Sequence, residues 1–167
     1  MKSIMTCLWF DTKAEEAARY YVSLFKNSKI TAISHYGPAA AAASGRPAGS
    51  VMTVNFELNG HDFMALNGGP EFKFNEAISL VVRCKSQDEI DEFWYALSRD
   101  GQPGVCGWLK DKYGLSWQIV PASIPEMITD KDQAKSDRVM AEVVKMTKLD
   151  KQVLEDAYEG KVHADTR

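Results

Sequence analysis

Apolar and polar residues alternate with period two over short runs and recur every three or four residues over longer ones, and this succession occurs twice along the chain. Residues 3–10, SIMTCLWF, predict a first strand with Ile4, Leu8 and Phe10 on one face and Met5, Cys7 and Trp9 on the other. Thr12-Lys13-Ala14-Glu15 fits a capping box, in which the Thr12 hydroxyl accepts from an orphan N–H and Glu15 reaches back. The helix this predicts carries Ala14, Ala17, Ala18, Tyr21, Leu24 and Phe25 on one stripe. Residues 30–36 read as a second strand. Residues 50–58 and 61–67 read as a hairpin joined at Asn59-Gly60, a dipeptide suited to a type I′ turn.

The same succession then returns. Residues 77–84 predict a buried strand, Ser86-Gln87-Asp88-Glu89 a second capping box, and Ile90, Phe93, Trp94 and Leu97 the stripe of a second helix. Residues 105–109 and 115–120 predict a second hairpin across Lys110–Gly114, which supplies charge and a glycine able to take positive φ. Strand, cap, helix and hairpin in each half amount to an internal duplication of βαβββ. The fold class is α+β, with module one at about residues 1–70 and module two at 75–122. The copies differ between helix and hairpin. GPAAAAASGRPAG at 37–49 reads as a mobile loop over the sheet edge, whereas the short Asp100–Gly104 connection predicts a brief third strand. A helical extension over 123–160 follows, with a short turn at 124–128, a helix from Asp132 and another capped by Asp150. Each helix has one apolar stripe, to be buried on the domain body or on a second subunit; the tail 161–167 is expected to fray.

Composition narrows the class without changing the fold. With 167 residues, 45% hydrophobic and 26% charged, the chain is long enough for a core of its own, and a net charge of -3 gives no electrostatic case for nucleic acid or an anionic membrane. No apolar run approaches the roughly 20 residues of a membrane span, and Asp11 comes too early for a secretory signal, so a cytoplasmic location is expected. Cys7, Cys84 and Cys106 show no CxxC or Cys/His spacing and read as buried thiols; His35, His61 and His163 are scattered and read as surface residues.

Three segments, CLWFDTKAEEAARYYVSLFKNSKI, FMALNGGPEFKFNEAISLVV and CGWLKDKYGLSWQIVP, resemble the PhnB-like family, also labelled 3-demethylubiquinone-9 3-methyltransferase-like. That family lies in the vicinal oxygen chelate superfamily, with glyoxalase I, extradiol dioxygenases and bleomycin-resistance proteins. Over residues 1–122 the resemblance implies paired βαβββ modules in a cupped sheet, and a homodimer. Metal enzymes of the superfamily hold a divalent ion with His, Gln or Glu from the first and last strands of each module. The matching positions here are Met5, Ala65 or its neighbour, Ala77 and Gln118. Thioether and methyl groups do not hold such an ion and a neutral amide alone is a poor ligand, so no metal is expected.

By alternation, the concave face of the implied cup shows Met5, Cys7, Trp9, Phe63, Ala65, Ser79, Val81, Ser116 and Gln118. Asn67 stands at its rim, and Cys106 and Trp108 join from the second hairpin. The candidate ligand-binding residues are Met5, Cys7, Trp9, Phe63, Asn67, Ser79, Cys106, Trp108 and Gln118. Such a lining suits a small hydrophobic or planar molecule held by stacking and two or three hydrogen bonds. No catalytic residue is identified. Cys7 and Cys106 have no base beside them in sequence, Asp111 and Lys112 read as turn charges, and no Arg or Lys is expected on this face to meet a phosphonate. Asn67-Gly68-Gly69-Pro70 opens no helix of the kind a nucleotide cofactor requires, and no cofactor is expected. A metal-free binder is the reading that results. The alternative is an enzyme on a quinone-like, dicarbonyl or phosphonate substrate, or a methyltransferase as the family label suggests.

Overall fold

The computed structural model describes residues 4–161, and the chain divides into two compact units between Phe74 and Asn75. Each unit is a four-stranded mixed sheet with an amphipathic helix on one face. In the first, β1 (Thr6–Phe10), β2 (Lys29–His35), β3 (Val51–Leu58) and β4 (His61–Asn67) lie in the order β1-β4-β3-β2. The β1–β4 pair is parallel and the other pairs are antiparallel. Helix α1 (Ala14–Leu24) buries Ala14, Ala17, Ala18 and Tyr21 against the face that carries Leu8, Phe10, Val54 and Phe56. Small alanines let the helix approach closely, and Tyr21 fills the remaining space beside Phe56, their rings 6.4 Å apart. Asn59 and Gly60 both take positive φ, 46° and 84°, as the expected type I′ turn requires.

Two local expectations are corrected. Thr12 does not cap α1: its N-cap is Lys13, with no side-chain cap bond, and the Ala14 N–H donates instead to Asn67 Oδ1 at 2.8 Å. The alanine-rich segment is not a loop but a helix, α2 (Pro38–Ser44). Pro38 stands in its first turn and Gly45 takes the left-handed conformation just past its end, so the residues that looked like breakers are a start and a stop around a run of the best helix former. No residue of α2 is buried, and Arg46 behind it bonds to the Asp11 carbonyl and carboxylate.

The second unit repeats the strand order. Here β5 (Ser79–Cys84), β6 (Gln102–Pro103), β7 (Trp108–Lys110) and β8 (Ser116–Pro121) lie as β5-β8-β7-β6, with β5 parallel to β8. Helix α3 (Gln87–Ser98) buries Ile90, Trp94 and Leu97 on the side of Leu109, Trp117 and Ile119. Its cap forms much as expected: Ser86 accepts from the Glu89 N–H at 3.2 Å, while the Glu89 carboxylate accepts from Lys85 N–H. β6 is two residues long, as the short connection requires. The strand expected over 105–109 begins only at Trp108, because Cys106 and Gly107 both take positive φ and turn the chain out of the ladder. Asp111 does more than charge the turn. It is buried, accepting from the Tyr113 and Leu115 N–H groups and from Trp117 Nε1 at 2.9 Å.

Helices α4 (Ile124–Ile128), α5 (Gln133–Val143) and α6 (Lys151–Glu159) pack on their own unit. Val139, Val143, Leu149 and Leu154 form a buried cluster with Val120 and Met127, and Gln87 at the start of α3 bonds to the Leu149 carbonyl and the Lys151 N–H. Asp132 and Asp150 cap α5 and α6 as expected. No helix among the described residues is long and apolar enough to cross a membrane. Ser3, His163 and the tail beyond residue 161 lie outside the described residues.

Candidate ligand-binding faces

Strand register decides which side chains share a face, because partners in a ladder point the same way. In the first sheet the face away from α1 carries three rows: Asp62, Glu57 and Lys29; Cys7, Met64, Asn55 and Ala32; Trp9, Leu66, Thr53 and Ser34. Met5, one residue ahead of β1, extends the first row and is 40% exposed; Cys7 is exposed as well. Met5, Cys7 and Trp9 thus share this face.

Phe63, Ala65 and Asn67 do not. They pair with Thr6, Leu8 and Phe10 on the α1 side. Phe63 stacks on Phe56 with ring centroids 5.3 Å apart, and Ala65 is fully buried. Asn67 is a structural amide rather than a rim residue: besides accepting from Ala14, it donates to the Val51 carbonyl at 3.0 Å, and its own carbonyl accepts from Tyr36 Oη at 2.6 Å. β4 is apolar on both faces, so alternation alone did not fix its phase.

Trp9 is partly covered from within its own unit. Its Nε1 donates to the Gly69 carbonyl at 2.9 Å, and Phe72 meets its ring edge-on at 5.0 Å. A Cβ on Gly68 would come within 2.2 Å of the indole. The Asn67–Pro70 glycines therefore let the chain fold flat over a tryptophan.

In the second sheet the face away from α3 carries Ser79, Ser116 and Lys110, then Val81, Gln118 and Trp108, then Arg83 and Val120. Ser79, Trp108 and Gln118 are brought together here, and Gln118 Nε2 donates to Ser79 Oγ at 2.8 Å. Cys106 is not among them: its N–H bonds to the Met146 carbonyl and its side chain packs against the Val120 cluster. Arg83, which is exposed, and Lys110 contradict the expectation of a face without basic residues. Lys110 is held by Glu76 at 2.5 Å, and that bond keeps the Glu76 carboxyl below its usual range.

Two of the thiols, Cys7 and Cys84, are poor nucleophiles. Burial pushes Cys84 up to about 12, with the Glu89 charge adding to it, and it also raises Cys7 even though that side chain reaches solvent. Nor do the strand positions of the superfamily fit a divalent ion. Ala65 faces α1 and Met64 takes the open position; Ala77 lies ahead of β5, where Ser79 is the first residue on the open face. Met5, Met64, Ser79 and an amide already donating to that serine are not a hard or borderline donor set. Among the described residues, no three or more His, Cys, Asp or Glu side chains are grouped to hold a metal.

A cavity of about 350 Å³ lies in the first unit, lined by Met5, Thr31, Asn55, Phe56, Glu57, Asp62 and Phe63. Two of these, Met5 and Phe63, were expected from the sequence. Thr31, Asn55, Glu57 and Asp62 were not. Asn55 Oδ1 is buried and has no hydrogen-bond partner among the described residues.

The model of the 3-demethylubiquinone-9 3-methyltransferase family matches residues 2–120, which stops short of α4, α5 and α6. Among solved structures, a PhnB protein from Bacillus cereus is 38% identical, with a TM-score of 0.62, covering 71% of this chain and 99% of that one. Protein PA1353 from Pseudomonas aeruginosa shares the fold at 17% identity, with a TM-score of 0.58 over 72% of this chain and 98% of its own. No curated protein matches the chain. The chain belongs to the 3-demethylubiquinone-9 3-methyltransferase or PhnB-like family, with the vicinal oxygen chelate fold.

Proposed function

We propose that the protein binds a small, mainly apolar or planar molecule on the sheet faces turned away from α1 and α3, without a metal ion. The cavity beside Met5 carries this reading. It is of a size that suits a small ligand, and Met5, one residue ahead of β1, contributes an apolar side chain to its lining. Methyl transfer, named in the family's description, draws no support from the glycines of Asn67–Pro70, which pack on Trp9. A second reading, an enzyme acting on an anionic substrate such as a phosphonate, rests on exposed Arg83 and on Lys110. Neither Cys7 nor Cys84 offers it an activated nucleophile, since both thiols are raised.

Native mass spectrometry of untagged protein tests the first reading. It predicts an organic adduct that is lost on denaturation and lost from Met5→Arg while circular dichroism stays unchanged. An adduct indifferent to Met5→Arg contradicts it. We further propose a homodimer, for which light scattering on a sizing column should return twice the chain mass; the monomer mass would exclude it.

A further inference from the structure

We propose that the indole of Trp9 is a stacking surface for a planar aromatic ring, closed in this structure by residues 68–74, a strap that lifts to admit the ring. This rests on the small-molecule reading above and adds where the ring lies and what must move. Trp9 shares one face of the sheet with Met5 and Cys7, but its indole is covered by the Gly68 backbone: a Cβ there would stand 2.2, 2.4 and 2.5 Å from three indole carbons. Backbone alone, with no side chain, fills that place, so what fits there once it leaves is equally thin, a flat ring. Phe72 meets the same indole edge-on at 5.0 Å, and a ring arriving from solvent must displace it.

The middle of the strap is weakly held. At its start the Gly68 N–H donates to the Phe10 carbonyl at 2.9 Å, and at its end Phe74 meets Phe10 edge-on at 5.2 Å. Between these anchors Pro70, Glu71, Phe72 and Lys73 are exposed and belong to no helix or strand. The Trp9 Nε1–H bond to the Gly69 carbonyl and the Phe72 ring contact hold them down. One hydrogen bond and one ring contact are a small fraction of a domain's stability, so this segment opens while the sheet stays folded. The second unit lacks the arrangement. There Cys84 pairs with Pro121 as Phe10 does with Asn67, and the Ala122 N–H donates to the Cys84 carbonyl as Gly68 does to Phe10. Arg83 stands in the place of Trp9, Ala122 in that of Gly68, and the chain turns at once into α4. Glycine and strap thus accompany the tryptophan and are no requirement of the duplicated frame.

The test uses the full ¹⁵N-labelled chain, with indole as the probe and the Trp9 Nε1–H resonance, identified by its loss in Trp9→Phe, as the reporter. Indole should shift this resonance and the amides of Gly69 and Phe72. Phe72→Ala, an exposed change outside every helix and strand, should bind indole about two- to tenfold tighter, as release of one edge-on ring contact allows, and should speed deuterium exchange of Trp9 Nε1–H by a similar factor. In the unsubstituted chain that exchange should not respond to urea below the unfolding transition, the mark of a local opening. Exchange that accelerates with urea as global unfolding does, or a Phe72→Ala affinity no greater than that of the unsubstituted chain, would overturn the proposal. Indole shifts around Met5 that leave Trp9 unmoved would overturn it too, with the small-molecule reading left standing; shifts at neither place would remove both.

Discussion

Asn67 was expected at the rim of a ligand site and instead holds three elements of its unit together, through Ala14, Val51 and Tyr36. Asn67→Ala should therefore destabilise the protein by about 2 kcal/mol in urea unfolding, the sum of a lost cap and an orphaned carbonyl. Equal stability of the variant would show the amide to be idle. Gly68→Ala should cost about 1–3 kcal/mol by overpacking, because the added methyl meets a ring anchored by Gly69 and Phe72. The thiols have a pH signature. Since burial raises Cys7, its alkylation rate should lag that of free cysteine at pH 8 and climb as pH passes 9, whereas Cys84 should react only after unfolding. Rapid labelling of Cys7 at pH 7 would contradict this. At this scale the sequence was readable where a turn sets the register. Asn59-Gly60 pairs Leu58 with His61, and so Glu57 with Asp62. It was not readable in β4, where Phe63, Met64, Ala65 and Leu66 are apolar on both sides and the partner strand, far away in sequence, selects the face.

Helices and hairpins followed from periodicity wherever the apolar stripe was long. α1, α3, α5 and α6 bury residues their spacing marked out, because a stripe needs only one partner surface. α2 escaped notice for lack of a stripe: alanine propensity and well-placed ends form it without burial. The C-terminal helices belong to the second unit through Leu154, Leu149 and Val139, all fully buried, and through Lys148, which bonds Asp91 at 2.5 Å. Leu154→Ala should destabilise by about 2–5 kcal/mol, as loss of a buried leucine side chain does. It should also speed labelling of Cys106, which packs against this cluster, ahead of Cys84. Unchanged Cys106 reactivity would mean that the cluster does not shield it.

For the whole chain, the duplication was legible because cap, stripe and hairpin recur together, and both sheets have the same strand order. Strand register moves two of the positions that the resemblance implied, from Ala65 to Met64 and from Ala77 to Ser79. The central claim is that these positions recognise organic groups and hold no ion. Mn²⁺ titrated into the ¹⁵N-labelled chain tests it most directly, since a bound paramagnetic ion broadens only nearby resonances. At one equivalent, the account predicts unchanged widths for Ser79 and Gln118, whose rows carry no carboxylate; selective broadening of those two would contradict it.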